Sequence, residues 1–290
     1  MEASNAIIRE KDVTLNKPIL VAAFGGWNDA GDSATFAASH LARNWNTDRI
    51  ASMDPEDFYD FQSTRPEVEL VDGVTRRLRW PANEFSAATL SGHPHDVVVL
   101  IGTEPNLKWR TFAKQIVDFA SGLDVQMVIT LGALLADVPH SRPVQITGTA
   151  IDPELIDRLH LHRSRYEGPT GIVGVLHHEF AEQGIPTASL WAAVPHYLAV
   201  SPNPKAALAL VEKTAELVGT SVAIDELVRA TETYESRVAE VVGADDEMQS
   251  YVKMLEERAD EPAGIQEAEL PTGDELATEL ERFLRNEGTQ

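Results

Sequence analysis

A six-residue apolar run, Ile19 to Phe24, stops at Gly25-Gly26 and gives way at Ala30 to alanines and apolar residues at helical spacing. A short unbroken apolar run closed by glycines reads as a strand buried on both faces. Ala34, Ala37, Ala38, Leu41 and Ala42 repeat at three- and four-residue intervals, so the spacing predicts a helix over 30–45. A buried strand turning directly into a close-packed helix commits a chain to an open α/β sheet. The joint itself carries Trp27, Asn28, Asp29 and Asp32, a heavy polar and aromatic load for a plain connection.

The same alternation continues. Aliphatic runs at 96–102 and 125–131 read as further buried strands, with an amphipathic helix between them at 109–122. A strand is expected at 144–150, a short helix opened by Asp152-Pro153-Glu154, and a last core strand at 184–191. Short strands are expected at 6–8 and 50–53. Val68 to Val71 and Val74 to Trp80 flank Asp72-Gly73, the pattern of a β-hairpin with a type I′ turn. The expected fold is a three-layer α/β/α sandwich around a mixed, mostly parallel sheet, the hairpin supplying the antiparallel part.

From Pro204 the pattern turns wholly helical, with segments expected at 205–218, 224–242 and 245–259. Residues 260–271 are acidic and broken by two prolines and a glycine, as in a linker, and 273–283 reads as a final helix. Two units are expected: an α/β core over residues 1–204 and an acidic helical extension over 205–290. The extension holds 21 acidic and 8 basic residues, against 25 and 16 in the first 204.

The net charge of −22 opposes binding to nucleic acid and to anionic membrane surfaces. No apolar run reaches the roughly 18–20 residues of a membrane span. The opening residues, Met1-Glu2-Ala3-Ser4-Asn5, have neither a basic region nor an apolar stretch, so a cytoplasmic protein is expected. The absence of cysteine removes disulfides, thiol catalysis and cysteine-ligated metal.

Four segments invite a chemical reading. Glycines at a strand-to-helix joint can expose N–H groups to a phosphate. Here Asp29 and Asp32 would repel it, no Lys or Arg stands between Phe24 and His40, and neither GxGxxG nor a P-loop is spelled out. The joint reads first as a tight turn with helix caps, and second as a pocket for a neutral or cationic group. Gly168-Pro-Thr-Gly-Ile-Val-Gly174 precedes His177, His178 and Glu179, but the HExxH spacing of a zinc site is missing; no metal or other cofactor is expected. The loop is instead expected to bring backbone close to the sheet edge. Pro195-His196-Tyr197 follows the last strand, where an open α/β sheet holds its ligands, so His196 is a candidate general base sharing a crevice with Trp27 to Asp29. The candidate pocket is therefore Gly25, Gly26, Trp27, Asn28, Asp29, Asp32, His196 and Tyr197. No GxSxG elbow supports a serine hydrolase. The fourth segment, the acidic helical tail, reads as solvated amphipathic helices suited to packing against another subunit.

Phe24-Gly-Gly-Trp-Asn-Asp-Ala-Gly-Asp32, Gly168-Pro-Thr-Gly-Ile-Val-Gly-Val175 and Gly184-Ile-Pro with Val194-Pro-His-Tyr197 together resemble the proteasome assembly chaperone 2 family, and within it the actinobacterial branch. The resemblance covers residues 18–204 and implies an α/β/α fold similar to the phosphorylase/hydrolase class. It implies a non-catalytic protein that binds proteasome α-subunits and acts as a homo-oligomer, a trimer being one arrangement. Members of that family often end in a hydrophobic–tyrosine–any-residue motif, whereas this sequence ends Gly288-Thr289-Gln290. The alternative is an enzyme of the phosphorylase/hydrolase or carboxylate–amine ligase type, acting on a small metabolite near Trp27–Asp29 and His196.

Overall fold

The computed structural model describes residues 6–164, 166–198 and 201–261. Ten strands are described: β1 (Ile7–Arg9), β2 (Ile19–Gly25), β3 (Asp48–Met53), β4 (Glu67–Val71), β5 (Thr75–Arg79), β6 (Asn83–Ala88), β7 (Val97–Thr103), β8 (Met127–Ala136), β9 (Ile146–Ala150) and β10 (Thr187–Pro195). The α-helices are α1 (Ser33–Asn44), α2 (Trp109–Gly122), α3 (Pro153–Leu159), α4 (Ile172–Glu182), α5 (Pro204–Val218), α6 (Asp225–Gly243) and α7 (Asp246–Asp260).

Eight strands form one sheet in the order β1-β3-β6-β7-β2-β8-β10-β9. Its centre, β7-β2-β8-β10, is parallel; β2, β7 and β8 are the aliphatic runs that read as buried strands, and β10 is the expected last core strand. The antiparallel members are β1, β3 and β6 on one side and β9 on the other. The hairpin is thus not what makes the sheet mixed: β4 and β5 pair only with each other, in a separate two-stranded sheet. Asp72 and Gly73 have φ of 54° and 71°, the left-handed pair that a type I′ turn requires.

Each face of the sheet has its own core. On one, Val21, Ala23, Val99 and Ile129 pack against α1 and α5 through Ala34, Ala37, Leu41, Ala207 and Leu210. On the other, Leu20, Ala22, Leu100 and Val128 meet α2 and α4 through Phe112, Ile116, Ile172 and Phe180. The small side chains of α1 let it lie close to the sheet, as their spacing suggests. A third cluster joins α6 and α7 to the segment after β10, through Leu198, Tyr234, Val238, Val242 and Val252. The residues after 204 therefore enter the molecule in two ways: α5 completes a core layer, and α6 with α7 packs at its rim.

Two caps form as the residue types dictate. Asp152 accepts hydrogen bonds from the Glu154 and Leu155 N–H groups, and Asn203 from Ala206 N, each before a proline at the first helical position. Strand ends differ from the periodicity. Both β8 and β10 run on, to Ala136 and Pro195, because they pair continuously from Val128–Thr187 to Ala136–Pro195. Gly132, which suggests a strand end, lies under the Trp191 ring, where a Cβ would come within 2.6 Å of ring carbons. The expected linker and final helix, at 260–271 and 273–283, lie outside the described residues apart from 260 and 261.

Candidate functional site

The carboxyl ends of β2, β7, β8 and β10 point to one edge of the sheet, and the sequence-marked residues gather there. After β2 the chain turns through Gly26, at φ 129°, and a short 3₁₀ turn at Ala30–Asp32 before α1 begins. Asp29 lies beneath this turn, 5% exposed, and its carboxylate accepts hydrogen bonds from Ala34 N at 2.6 Å, from Thr35 N at 3.3–3.4 Å and from the Thr35 hydroxyl at 2.5 Å. It thus satisfies free N–H groups at the α1 N-terminus from five and six residues away. Burial pushes its pKa up to about 6 against the opposing pull of these donors, with Asp32 adding to the rise. Asp32 makes no cap; in a left-handed conformation at φ 48°, it accepts a hydrogen bond from the Ser201 hydroxyl.

Asn28 is also buried, and its partner lies outside the candidate pocket expected from the sequence. Glu104, just past β7, accepts hydrogen bonds from Asn28 Nδ2 at 3.1 Å, from Ile172 N at 2.7 Å and from Trp27 N. Its own N–H donates to Gly25 O at 2.9 Å. One carboxylate therefore ties together the turn after β2, the exit of β7 and the N-terminus of α4. Burial pushes the Glu104 pKa upward, while the Ile172 and Trp27 N–H groups pull it back. The glycine-rich loop before α4 brings its backbone in closely: a Cβ on Gly171 would lie 1.9 Å from Asn28 Nδ2. Ala133 N donates to Asn28 O at 2.8 Å, locking the turn to β8 as well. Trp27 points outward, 40% exposed.

Beside this knot lies a second one. Asn83 packs over Gly102 and donates through Nδ2 to the Tyr59 hydroxyl, which donates to Thr103 O at 2.5 Å. Burial pushes the Tyr59 pKa up to about 12. An acid immediately after a buried parallel strand, and an asparagine opposite a strand glycine, are the signals by which Glu104 and Asn83 are readable in the sequence.

His196 and Tyr197 have different company. The Tyr197 hydroxyl accepts from His140 N at 2.8 Å and lies 2.9 Å from His140 Nδ1. His196 Nδ1 is 3.1 Å from Asp137 Oδ1, close enough for an ion pair but off-axis for a hydrogen bond. Tyr251 of α7 donates to that same Asp137 oxygen at 3.2 Å, and its ring stands edge-on to both His196 and Tyr197. Arg142 adds a bidentate pair to Asp260, at 2.7 and 2.5 Å. These residues form the seam between the sheet edge and α7. Among the described residues, no hydrogen bond joins the side chains of the β2 turn to His196 or Tyr197. The two groups are bridged by backbone: Asn203 N donates to Gly31 O at 2.8 Å, and His196 N to Ala136 O at 3.3 Å.

A cleft at the seam is lined by His140, Arg142, Gln145, Pro195, Lys205 and Tyr234 among others, and its interior volume of about 20 Å³ is room for roughly one water molecule. Lys205 at its edge is engaged by Glu235 and by the His140 carbonyl, each at 2.6 Å. Among the described residues there is no group of three His, Asp or Glu side chains placed to hold a metal ion, and no helix is long and apolar enough to cross a membrane.

Residues 23–242 match the model of the PAC2 family. A PAC2 family protein from Streptomyces avermitilis is 44% identical, with a TM-score of 0.75 over 81% of this chain and 99% of that one. A proteasome-assembly chaperone homologue from Mycobacterium tuberculosis is likewise 44% identical, with a TM-score of 0.73 and the same coverage. A Pyrococcus furiosus archaeal proteasome activator, 18% identical with a TM-score of 0.63 over 81% of this chain and 97% of that one, shares the fold. No curated protein matches the chain.

Proposed function

The chain belongs to the PAC2 family, and from that premise we propose that it is a binding module of the proteasome-assembly-chaperone kind, working as a homo-oligomer in the cytoplasm without a reaction of its own. The observation that carries this reading is the 44% identity to the Mycobacterium tuberculosis proteasome-assembly chaperone homologue across 99% of that chain. The use of the polar residues supports it. Buried Asp29 and half-buried Glu104, the acids at the sheet edge, use their acceptor capacity on backbone and side-chain donors of the protein itself. The partner in this reading is a proteasome α-subunit, met as a protein surface. Nucleic acid and anionic lipid are disfavoured by the net charge of −22. The test is co-purification of the tagged full chain with α-subunits, beside proteasome assembly in a strain lacking the protein. Recovery of α-subunits and slower assembly are expected; no association and unchanged assembly overturn the reading.

One observation favours an enzyme as the second reading: Asp29, held near pKa 6, and His196, beside Asp137, lie on the same sheet edge as the exposed Trp27. In that reading Gly25, Gly26, Trp27, Asn28, Asp29, Asp32, His196 and Tyr197 line a small-metabolite crevice. A thermal-shift screen with nucleotides, nucleosides and amino acids separates the two. Stabilisation that His196→Ala abolishes supports the enzyme, and a flat screen removes it.

A further inference from the structure

The β4–β5 hairpin is amphipathic, and its apolar side is uncovered. Its register places Val68 opposite Leu78 and Leu70 opposite Arg76, and directly paired residues share a face. Continuing the alternation, Val74 and Trp80 join that face, while Glu67, Glu69, Arg77 and Arg79 occupy the other. Val68, Leu70, Val74, Leu78 and Trp80 are 44–83% exposed, a clustering of large apolar side chains that a solvated ribbon does not need. The charges are as uneven as the faces. Glu67 and Glu69 both pair with Arg79, whereas among the described ion pairs none involves Arg65, Arg76 or Arg77. The hairpin is also well placed to present this face: Trp80 at its base is edge-on to Phe61 at 4.8 Å, and Asp60 N and the Thr64 hydroxyl both donate to Asn106 Oδ1, at 3.1 and 2.9 Å.

The complementary surface is on the chain itself. Residues 225–261 carry 12 acidic and 4 basic side chains, and within them Val241 and Met254 stand exposed. Among the described residues, no hydrogen bond, ion pair or ring contact links hairpin and extension within one molecule. We propose that the apolar, arginine-bearing face of the β4–β5 hairpin docks on the acidic α6–α7 surface of a second copy of this chain, with Leu70 and Leu78 covering Val241 and Met254 and Arg76, opposite Leu70 on the same face, meeting the surrounding carboxylates. Apolar contact supplies the affinity, and Arg76 favours an acidic apolar surface over a neutral one. Joining two different surfaces, the contact closes either as a reciprocal two-fold pair, each hairpin on the other copy's helices, or as a head-to-tail ring. This deepens the homo-oligomer part of the proposed function and rests on that part alone, not on the identity of the proteasome partner.

The test uses the full chain, whose lack of cysteine makes introduced thiols unique. Leu78→Cys and Met254→Cys variants carrying different tags are mixed and treated with a short bis-maleimide. Cross-linking between the two tags is expected, falling with rising salt as the arginine contacts are screened. Light scattering on Leu70→Glu/Leu78→Glu is expected to show self-association weakened at least about tenfold, roughly 1.4 kcal/mol, with circular dichroism unchanged. A wild-type chain that stays monomeric in low salt overturns the proposal, as does full oligomerisation of the double variant. Leu78→Cys cross-linking to itself in preference to Met254→Cys also overturns it, in favour of hairpin-to-hairpin contact. Failure of α-subunit co-purification with the cross-link intact removes the chaperone reading and leaves this contact standing.

Discussion

The turn after β2 and the hairpin β4–β5 divide the work of the molecule in opposite senses. In the turn, polar side chains are buried and hydrogen-bonded: Asn28 and Asp29 are 3% and 5% exposed, and their partners lie just past β7, on α1 and on β8. In the hairpin, Val68, Leu70, Val74 and Leu78 are large apolar side chains left 55–83% exposed. Each inverts the usual rule that polar groups face water and apolar groups the core. A buried polar residue that is fully partnered marks a place where the fold is specified; an exposed apolar face marks a place where the fold is left for something else to complete. On this contrast we assign the turn to architecture and, as proposed above, the hairpin to recognition.

The hardest test of this contrast is Glu104. Glu104→Ala leaves Asn28 Nδ2 and the Trp27 and Ile172 N–H groups without their acceptor. Its expected cost is about 3 kcal/mol, from orphaned buried donors. Urea unfolding measures it, and a loss below about 1 kcal/mol would break the assignment of the turn to architecture. Asp29 gives a second test through pH. Its folded pKa of about 6 lies above its ordinary 3.8, so the folded state holds the proton more tightly than the unfolded chain. The stability it contributes is complete below 3.8 and is lost as pH rises through 6. Between about pH 4 and 7, the wild type should lose on the order of 2–3 kcal/mol relative to Asp29→Asn, whose amide carbonyl still accepts a hydrogen bond. Parallel stability–pH curves for the two proteins would show that Asp29 does not titrate there.

How much of this was legible depends on the range over which the forces act. Strand and helix identity follow from local periodicity, and β2, β7, α2 and α5 fall within a residue or so of where the pattern puts them. Caps such as Asp152 and Asn203 are equally local. What escaped depends on partners far along the chain. Strand β6 hides in Asn83-Glu-Phe-Ser-Ala-Ala88, too short and too small-sided to stand out, although Asn83, Phe85 and Ala87 alternate inward. The extra length of β8 comes from pairing with β10, some 60 residues later. Glu104 acts across 76 residues on Asn28 and 68 on Ile172. Likewise, the company of His196 and Tyr197 is set by Tyr251 on a helix that periodicity locates but cannot dock.

The smallest expected effect concerns the hairpin, and its smallness is the point. Leu70→Ser and Leu78→Ser, at positions 62% and 55% exposed, should each change the stability of the dilute protein by less than about 0.5 kcal/mol. A two-stranded ribbon adds little to a fold whose two cores lie elsewhere. Amide exchange should agree: β4 and β5 amides exchange quickly, while those of β2 exchange only on global opening. Repeating the exchange at high protein concentration sharpens the contrast. If a second copy covers the apolar face, protection rises in β4 and β5 and on the covered α6–α7 surface, and the serine variants do not show it. A loss above about 1 kcal/mol in the dilute protein would mean instead that the ribbon packs on its own chain, and the two regions would no longer stand as opposites.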